Sequence, residues 1–119
     1  MTGRVVAAAC DVPVGESRSY LVDGRRIAVF NVDGALYALR DRCPHQGAAL
    51  SDGRIQAALV SPCPGRYRLD PGRPVVRCPW HGWEFDLETG RSVIDPRDAR
   101  VRAYAVRVED GSIVVDVPG

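Results

Sequence analysis

Residues 18–41 read RSYLVDGRRIAVFNVDGALYALRD, three apolar-rich runs separated by Asp-Gly pairs at 23–24 and 33–34. Asp-Gly supplies the two left-handed residues that a two-residue hairpin turn needs, and the flanking Val, Ile, Phe, Tyr and Leu favour extended backbone. Residues 18–22, 25–31 and 35–41 are therefore expected to form successive antiparallel strands. A further Asp-Gly, at 110–111, separates RAYAVRVE (102–109) from SIVVDV (112–117), and these two runs are expected to close the chain as a hairpin. In the first of them Ala103, Ala105, Arg107 and Glu109 alternate with Tyr104, Val106 and Val108, which assigns the two sets to opposite faces. The fourth pair stands at 52–53. No segment sustains a helical period, so the fold class is all-β, with small antiparallel sheets in a sandwich or barrel.

A chain of 119 residues has the length of one modest domain, here 1–119. Hydrophobic residues make up 45% and charged residues 26%, and no apolar run is long enough to span a bilayer, so no membrane association is expected. The formal net charge of +1 supplies no field of the kind that nucleic-acid binding depends on. All sixteen basic residues are Arg; they are scattered along the sequence and are read as compositional bias in preference to an anion-binding surface. VVAAAC (5–10) imitates the end of a lipoprotein signal with Cys10 as the lipidated residue, but the apolar stretch is short and only Arg4 precedes it. It is read as a first strand carrying Cys10 as a small apolar residue. The expected compartment is the cytoplasm, where four cysteines serve as metal ligands or free thiols more readily than as a disulfide framework.

Seven of the nine prolines and six of the twelve glycines lie between residues 43 and 98, so this region is expected to be built of loops. It holds both histidines of the chain, in CPHQGAALSDG (43–53) and CPWHGWEFD (78–86). Cys43, His45, Cys78 and His81 are the candidate ligands. Two Cys and two His can make a tetrahedral zinc site, or hold a [2Fe-2S] cluster with the thiolates on one iron and the imidazoles on the other. Each segment delivers one Cys and one His, an arrangement that suits two metals in line better than a zinc finger, whose knuckles usually pair like with like. Gly47 and Gly82 permit tight turns that bring backbone N–H groups close to sulfide, and Trp80 and Trp83 are placed to wall off a cluster or simply to pack a core.

NVDGALYALRDRCPHQGAALSDG (31–53) and RCPWHGWEFDLETGR (77–91) resemble the two cluster-binding segments of Rieske proteins, in particular the small soluble Rieske-type ferredoxins. The resemblance extends over essentially the whole chain. It implies a Rieske-like fold with a loop-built cluster-binding part at about 41–93. By the same resemblance Cys43 and Cys78 bind the inner iron of one [2Fe-2S] cluster, and His45 and His81 bind the outer iron.

Two departures from the family refine what the resemblance implies. Rieske proteins of cytochrome bc complexes carry an extra Cys in each loop; the matching positions here are Ala48 and Trp80. Those proteins also place Ser and Tyr hydroxyls near the cluster where this chain has Trp83 and Phe85, which points to the low-potential ferredoxin class. Second, the interval from His45 to Cys78 exceeds the family's usual one, so an insertion is expected at about 57–77. Its Cys63 begins an imitation of the second motif, with Arg66 where a His would stand; because Arg stays protonated, Cys63 is read as a free thiol in a turn-rich hairpin. Arg66, Tyr67 and Arg68 are its candidate contacts with a redox partner.

The function so implied is that of a one-electron carrier between a flavin-dependent reductase and a terminal oxygenase, not an enzyme in itself. An oxygenase α-subunit would need two further His for a mononuclear iron, and both His are already used. The alternative is a small accessory subunit of a larger oxidoreductase such as nitrite reductase.

Overall fold

The computed structural model describes residues 2–42, 49–63, 66–79, 84–92 and 100–118, without the side chains of 57–73. Ten strands are described: β1 (Thr2–Ala8), β2 (Ser17–Val22), β3 (Arg25–Val32), β4 (Ala35–Arg40), β5 (Arg54–Cys63), β6 (Arg66–Arg77), β7 (Glu84–Asp86), β8 (Ala103–Tyr104), β9 (Val106–Glu109) and β10 (Ser112–Val117). They form three antiparallel sheets with the orders β1-β10-β9, β2-β3-β4-β8 and β5-β6-β7. The all-β expectation holds, and the three strands read from residues 18–41 are β2, β3 and β4.

Their turns follow from the Asp-Gly pairs. Asp23, Asp33 and Asp110 have φ of 50°, 52° and 50°, and the glycine after each is also left-handed, the pattern of a type I′ hairpin. The pair at 52–53 behaves differently: Asp52 ends a 3-10 turn, Leu50–Asp52, and Gly53 has φ −79°.

The middle sheet is covered on both sides, which explains why IAVF (27–30) is apolar without a break. Ile27, Ala28, Val29 and Phe30 are all fully buried. Since side chains alternate along a strand, Ile27 and Val29 pack with Val12, Ala38, Ile113, Val115 and Val117, whereas Ala28 and Phe30 pack with Leu39, Leu50, Val76, Phe85 and Leu87. The first cluster joins the middle sheet to the terminal one; the second joins it to β5-β6-β7. Each large apolar side chain so buried contributes about 1.5–3 kcal/mol, and these two clusters are the main source of stability.

The closing hairpin is only half as expected. β9 pairs with β10, but the run 102–109 breaks at Ala105, and Ala103 and Tyr104 leave that sheet to pair with Leu39 and Ala38 of β4. One strand thus serves two sheets, and the alternation does not carry through the break: Tyr104 is buried while Val108 is exposed. Cys10 also departs from expectation. It lies beyond β1 in a 3-10 turn, Ala9–Asp11, and is exposed, because Asp11 Oδ2 accepts the Ala8 N–H and curls the chain out of the sheet.

Within the proline- and glycine-rich region the described backbone includes the two longest strands, β5 and β6. Their ladder absorbs the turn-forming residues at irregularities. Ala57 stands opposite Pro74 and Ala58 opposite Asp70, so Pro71, Gly72 and Arg73 bulge from β6. β7 pairs only with Val75–Arg77, which leaves the far part of β5 and β6 as a two-stranded ribbon.

Candidate metal centre

The chain enters the first motif from β4, and the end of that strand is anchored. Asp41 is a buried carboxylate. Its Oδ1 accepts the backbone N–H of Ser51 at 2.7 Å, and its Oδ2 accepts the Ser51 hydroxyl at 2.6 Å. The Asp41 N–H donates to the Arg26 carbonyl at 2.9 Å, and the Ser17 hydroxyl to the Ser51 carbonyl at 2.8 Å. Segment 42–50 is thereby pinched at its base, with Leu50 driven fully into the core. A buried carboxylate tolerates its charge only with such donors. Asp41→Ala is expected to cost about 2 kcal/mol, since it removes two charge-assisted hydrogen bonds. Urea unfolding of the iron-loaded protein measures the cost, and an unchanged midpoint would contradict this role.

The second motif leaves from β6 and returns as β7. The register sets Arg77 opposite Glu84 and Val76 opposite Phe85, so the two ends of segment 78–83 lie side by side. Cys78 is 1% exposed and packs in the cluster of Leu50, Val76, Phe85 and Leu87, so its thiol is shielded from water at the foot of the segment. Glu84 is buried and accepts a hydrogen bond from Gln56 Nε2. Past β7, Asp86 Oδ1 accepts the N–H groups of Glu88 and Thr89 at 2.8 and 3.0 Å and turns the chain back.

Gly53 joins the two bases. A Cβ built on it would stand 2.2 Å from the Arg77 carbonyl oxygen and 3.0 Å from that of Leu50, so only glycine permits this approach. The end of the first motif therefore rests on the residue immediately before Cys78.

Of the four candidate ligands, Cys78 is described; Cys43, His45 and His81 lie outside the described residues, as do Gly47, Ala48, Trp80, Gly82 and Trp83. The structure brings together the roots of the two segments that carry them. The side chains of Cys63, Arg66, Tyr67 and Arg68 are likewise outside the description. The donor set and the setting fit a cluster: a buried thiol at the apolar foot of one segment, and both segments held at their bases. Sequence reasoning missed Asp41, Ser51, Gly53 and Glu84. Asp41 left a signal, an acid closing an apolar strand where a hydrophobic residue would be expected. Six of the arginines, scattered in sequence, are gathered in space: Arg25, Arg26, Arg40, Arg42, Arg100 and Arg102 line two adjoining clefts. No helix among the described residues is long and apolar enough to cross a membrane.

Comparison with known proteins agrees with this arrangement. The family model of the Rieske [2Fe-2S] domain matches residues 3–105. The 3-phenylpropionate/cinnamic acid dioxygenase ferredoxin subunit of Escherichia coli (strain K12) is 34% identical over 108 residues, 91% of this chain and 87% of the relative. Among solved structures, a chain in the complex of reduced oxygenase and oxidised ferredoxin of carbazole 1,9a-dioxygenase superposes with a TM-score of 0.71 at 30% identity, covering 95% of this chain and 91% of that one. A putative NADH-dependent nitrite reductase small subunit from Mycobacterium tuberculosis has a TM-score of 0.80 at 27% identity, covering 99% and 97%. The chain belongs to the family of the Rieske [2Fe-2S] domain, and that membership implies one [2Fe-2S] cluster per chain and sets the zinc alternative aside.

Proposed function

We propose that the protein is a Rieske ferredoxin, a one-electron carrier that takes electrons from a flavin-dependent reductase and delivers them to a terminal oxygenase, without being an enzyme in itself. The observation that carries the reading is the match to a dioxygenase ferredoxin subunit over nearly the full length of both chains. Cys43 and Cys78 would hold one iron of the cluster, and His45 and His81 the other. When bound, the cluster supplies reversible one-electron chemistry. The chain's own part is to exclude water around Cys78 and to keep the two segments in register through Asp41 and Gly53. Its two imidazoles, neutral where other ferredoxins use thiolates, ease reduction.

Phe85 bears on the potential. It is fully buried in the same apolar cluster as Cys78 and has no hydroxyl to donate to sulfur. With Trp83 equally unable to donate an O–H, the midpoint is expected near the low end of the Rieske range, about −150 mV, and Phe85→Tyr is expected to raise it. An EPR-monitored redox titration tests this, and a wild-type midpoint well above zero contradicts it.

The same reading takes residues 1–119 as one domain with an insertion at about 57–77, supported by the two-stranded ribbon that extends beyond β7. It also keeps the cytoplasm as the compartment, where reduced nicotinamide is available to a flavin reductase. A second reading, the small subunit of a nitrite reductase, is favoured by the high structural similarity to such a subunit. Size-exclusion chromatography of native extract separates the two. A free carrier elutes near its own mass of 12.9 kDa, and a subunit elutes with its large partner.

A further inference from the structure

Around the end of β4 the chain exposes a strongly cationic face. Arg25 and Arg26 open β3, Arg40 closes β4, Arg42 is the last residue before the first motif, and Arg102 precedes β8. Together they line a cleft of about 650 Å³ with Leu21 and Tyr104. A second cleft of about 300 Å³ shares Arg40, Arg42 and Arg102 and adds Arg100. Backbone hydrogen bonds fix the arrangement: the Arg40 N–H donates to the Arg102 carbonyl at 2.8 Å, and the Asp41 N–H to the Arg26 carbonyl at 2.9 Å.

Among the described residues the first cleft is poor in acids. Elsewhere Arg4 pairs with Asp23, Arg18 with Glu16, and Arg107 with both Glu109 and Asp116. Among the described residues no carboxylate pairs with Arg25, Arg26, Arg40, Arg42 or Arg102, although Arg102 lies over the Tyr104 ring. Among the described residues the one acid lining the cleft, Asp41, is buried and occupied by Ser51. Uncompensated like charges held together work against folding, and an arrangement of this kind is accounted for when a partner supplies the counter-charge.

We infer that this arginine face docks an acidic protein surface, that of the redox partner, beside the chain's entry into the first motif. The inference rests on the carrier reading above. Guanidinium groups pair with carboxylates through two parallel hydrogen bonds, so a cluster of them selects Asp and Glu side chains and fixes orientation as well as attraction. The formal net charge is only +1, so with six Arg gathered here the rest of the molecule is net acidic. A dipole of this kind turns the face toward an acidic partner during encounter. It does not suit nucleic acid, which would meet the acidic remainder as it extended past the cleft.

The test uses the iron-loaded protein and fluorescein-labelled dodecaglutamate, with binding read by anisotropy at low salt. Arg26→Glu with Arg102→Glu is expected to weaken binding ~10-fold or more. The control, Arg4→Glu with Arg18→Glu, makes the same change in net charge on residues already paired and is expected to weaken it far less. Arg40→Ala provides a milder variant that keeps the comparison open if the double reversal does not fold. Equal weakening by the two double variants would overturn the inference, as would tighter binding of an oligothymidylate of equal charge. The EPR spectrum of each sample is recorded alongside. A missing cluster signal sinks the carrier reading, and unaltered peptide binding sinks the docking face, so the two failures are read separately.

Discussion

His81→Cys and His45→Cys are each expected to abolish the Rieske EPR signal, while Cys63→Ser leaves it at wild-type intensity. A Rieske centre is distinguished from other [2Fe-2S] centres by imidazole on one iron, and replacing either imidazole by thiolate adds a negative charge and lowers the potential. On the proposed assignment Cys63 has no such role; it ends β5, paired with Arg66 at the end of the ribbon. Cys78→Ala makes the complementary point. The Cys78 side chain is buried with Leu50, Val76, Phe85 and Leu87, so alanine there is accommodated with a small cavity, and the fold should persist while the cluster is lost. Circular dichroism beside EPR separates the two effects. Loss of the signal in Cys63→Ser would overturn the assignment of ligands.

Gly53→Ala is expected to destabilise the protein by about 3 kcal/mol or more, at the upper end of what overpacking costs, because the obstruction is backbone and cannot swing aside. The new methyl group would meet the Arg77 carbonyl at 2.2 Å and Val76 Cγ2 at 3.1 Å. Relief requires the 3-10 turn Leu50–Asp52 to separate from the end of β6, and these elements are the bases of the two motifs. The variant should therefore also lose iron faster to a chelator. Gly3→Ala is the comparison, since its nearest obstacle is the flexible guanidinium of Arg107 at 2.9 Å, and it should cost less than about 1 kcal/mol. Equal melting of Gly53→Ala and wild type would show that the two bases are not coupled.

How much of this was legible in the sequence depended on range. The Asp-Gly turns and the strands between them are local, and the residues at 23–24, 33–34 and 110–111 dictate them wherever the rest of the chain goes. The break at Ala105 is not local. RAYAVRVE alternates well enough for one strand, and only the presence of Leu39 and Ala38 at the edge of β4 draws Ala103 and Tyr104 away. Likewise the proline and glycine of Pro71-Gly72 signal a turn, yet antiparallel pairing absorbs them as a bulge in a long ladder. At the site, the Cys and His spacings carry the chemistry in plain view. Asp41, Ser51 and Gly53 are supports whose partners lie many residues away, and the arginine face assembles from residues up to 77 positions apart, so neither shows as a motif.

The measurement that bears most directly on the account is the EPR spectrum of the dithionite-reduced, purified protein, taken with its iron and acid-labile sulfide content. The account predicts a red-brown protein with two irons and two sulfides per chain and a Rieske signal whose low average g-value marks imidazole ligation. A colourless protein holding one zinc, or a [2Fe-2S] signal of the all-cysteine type, would contradict it.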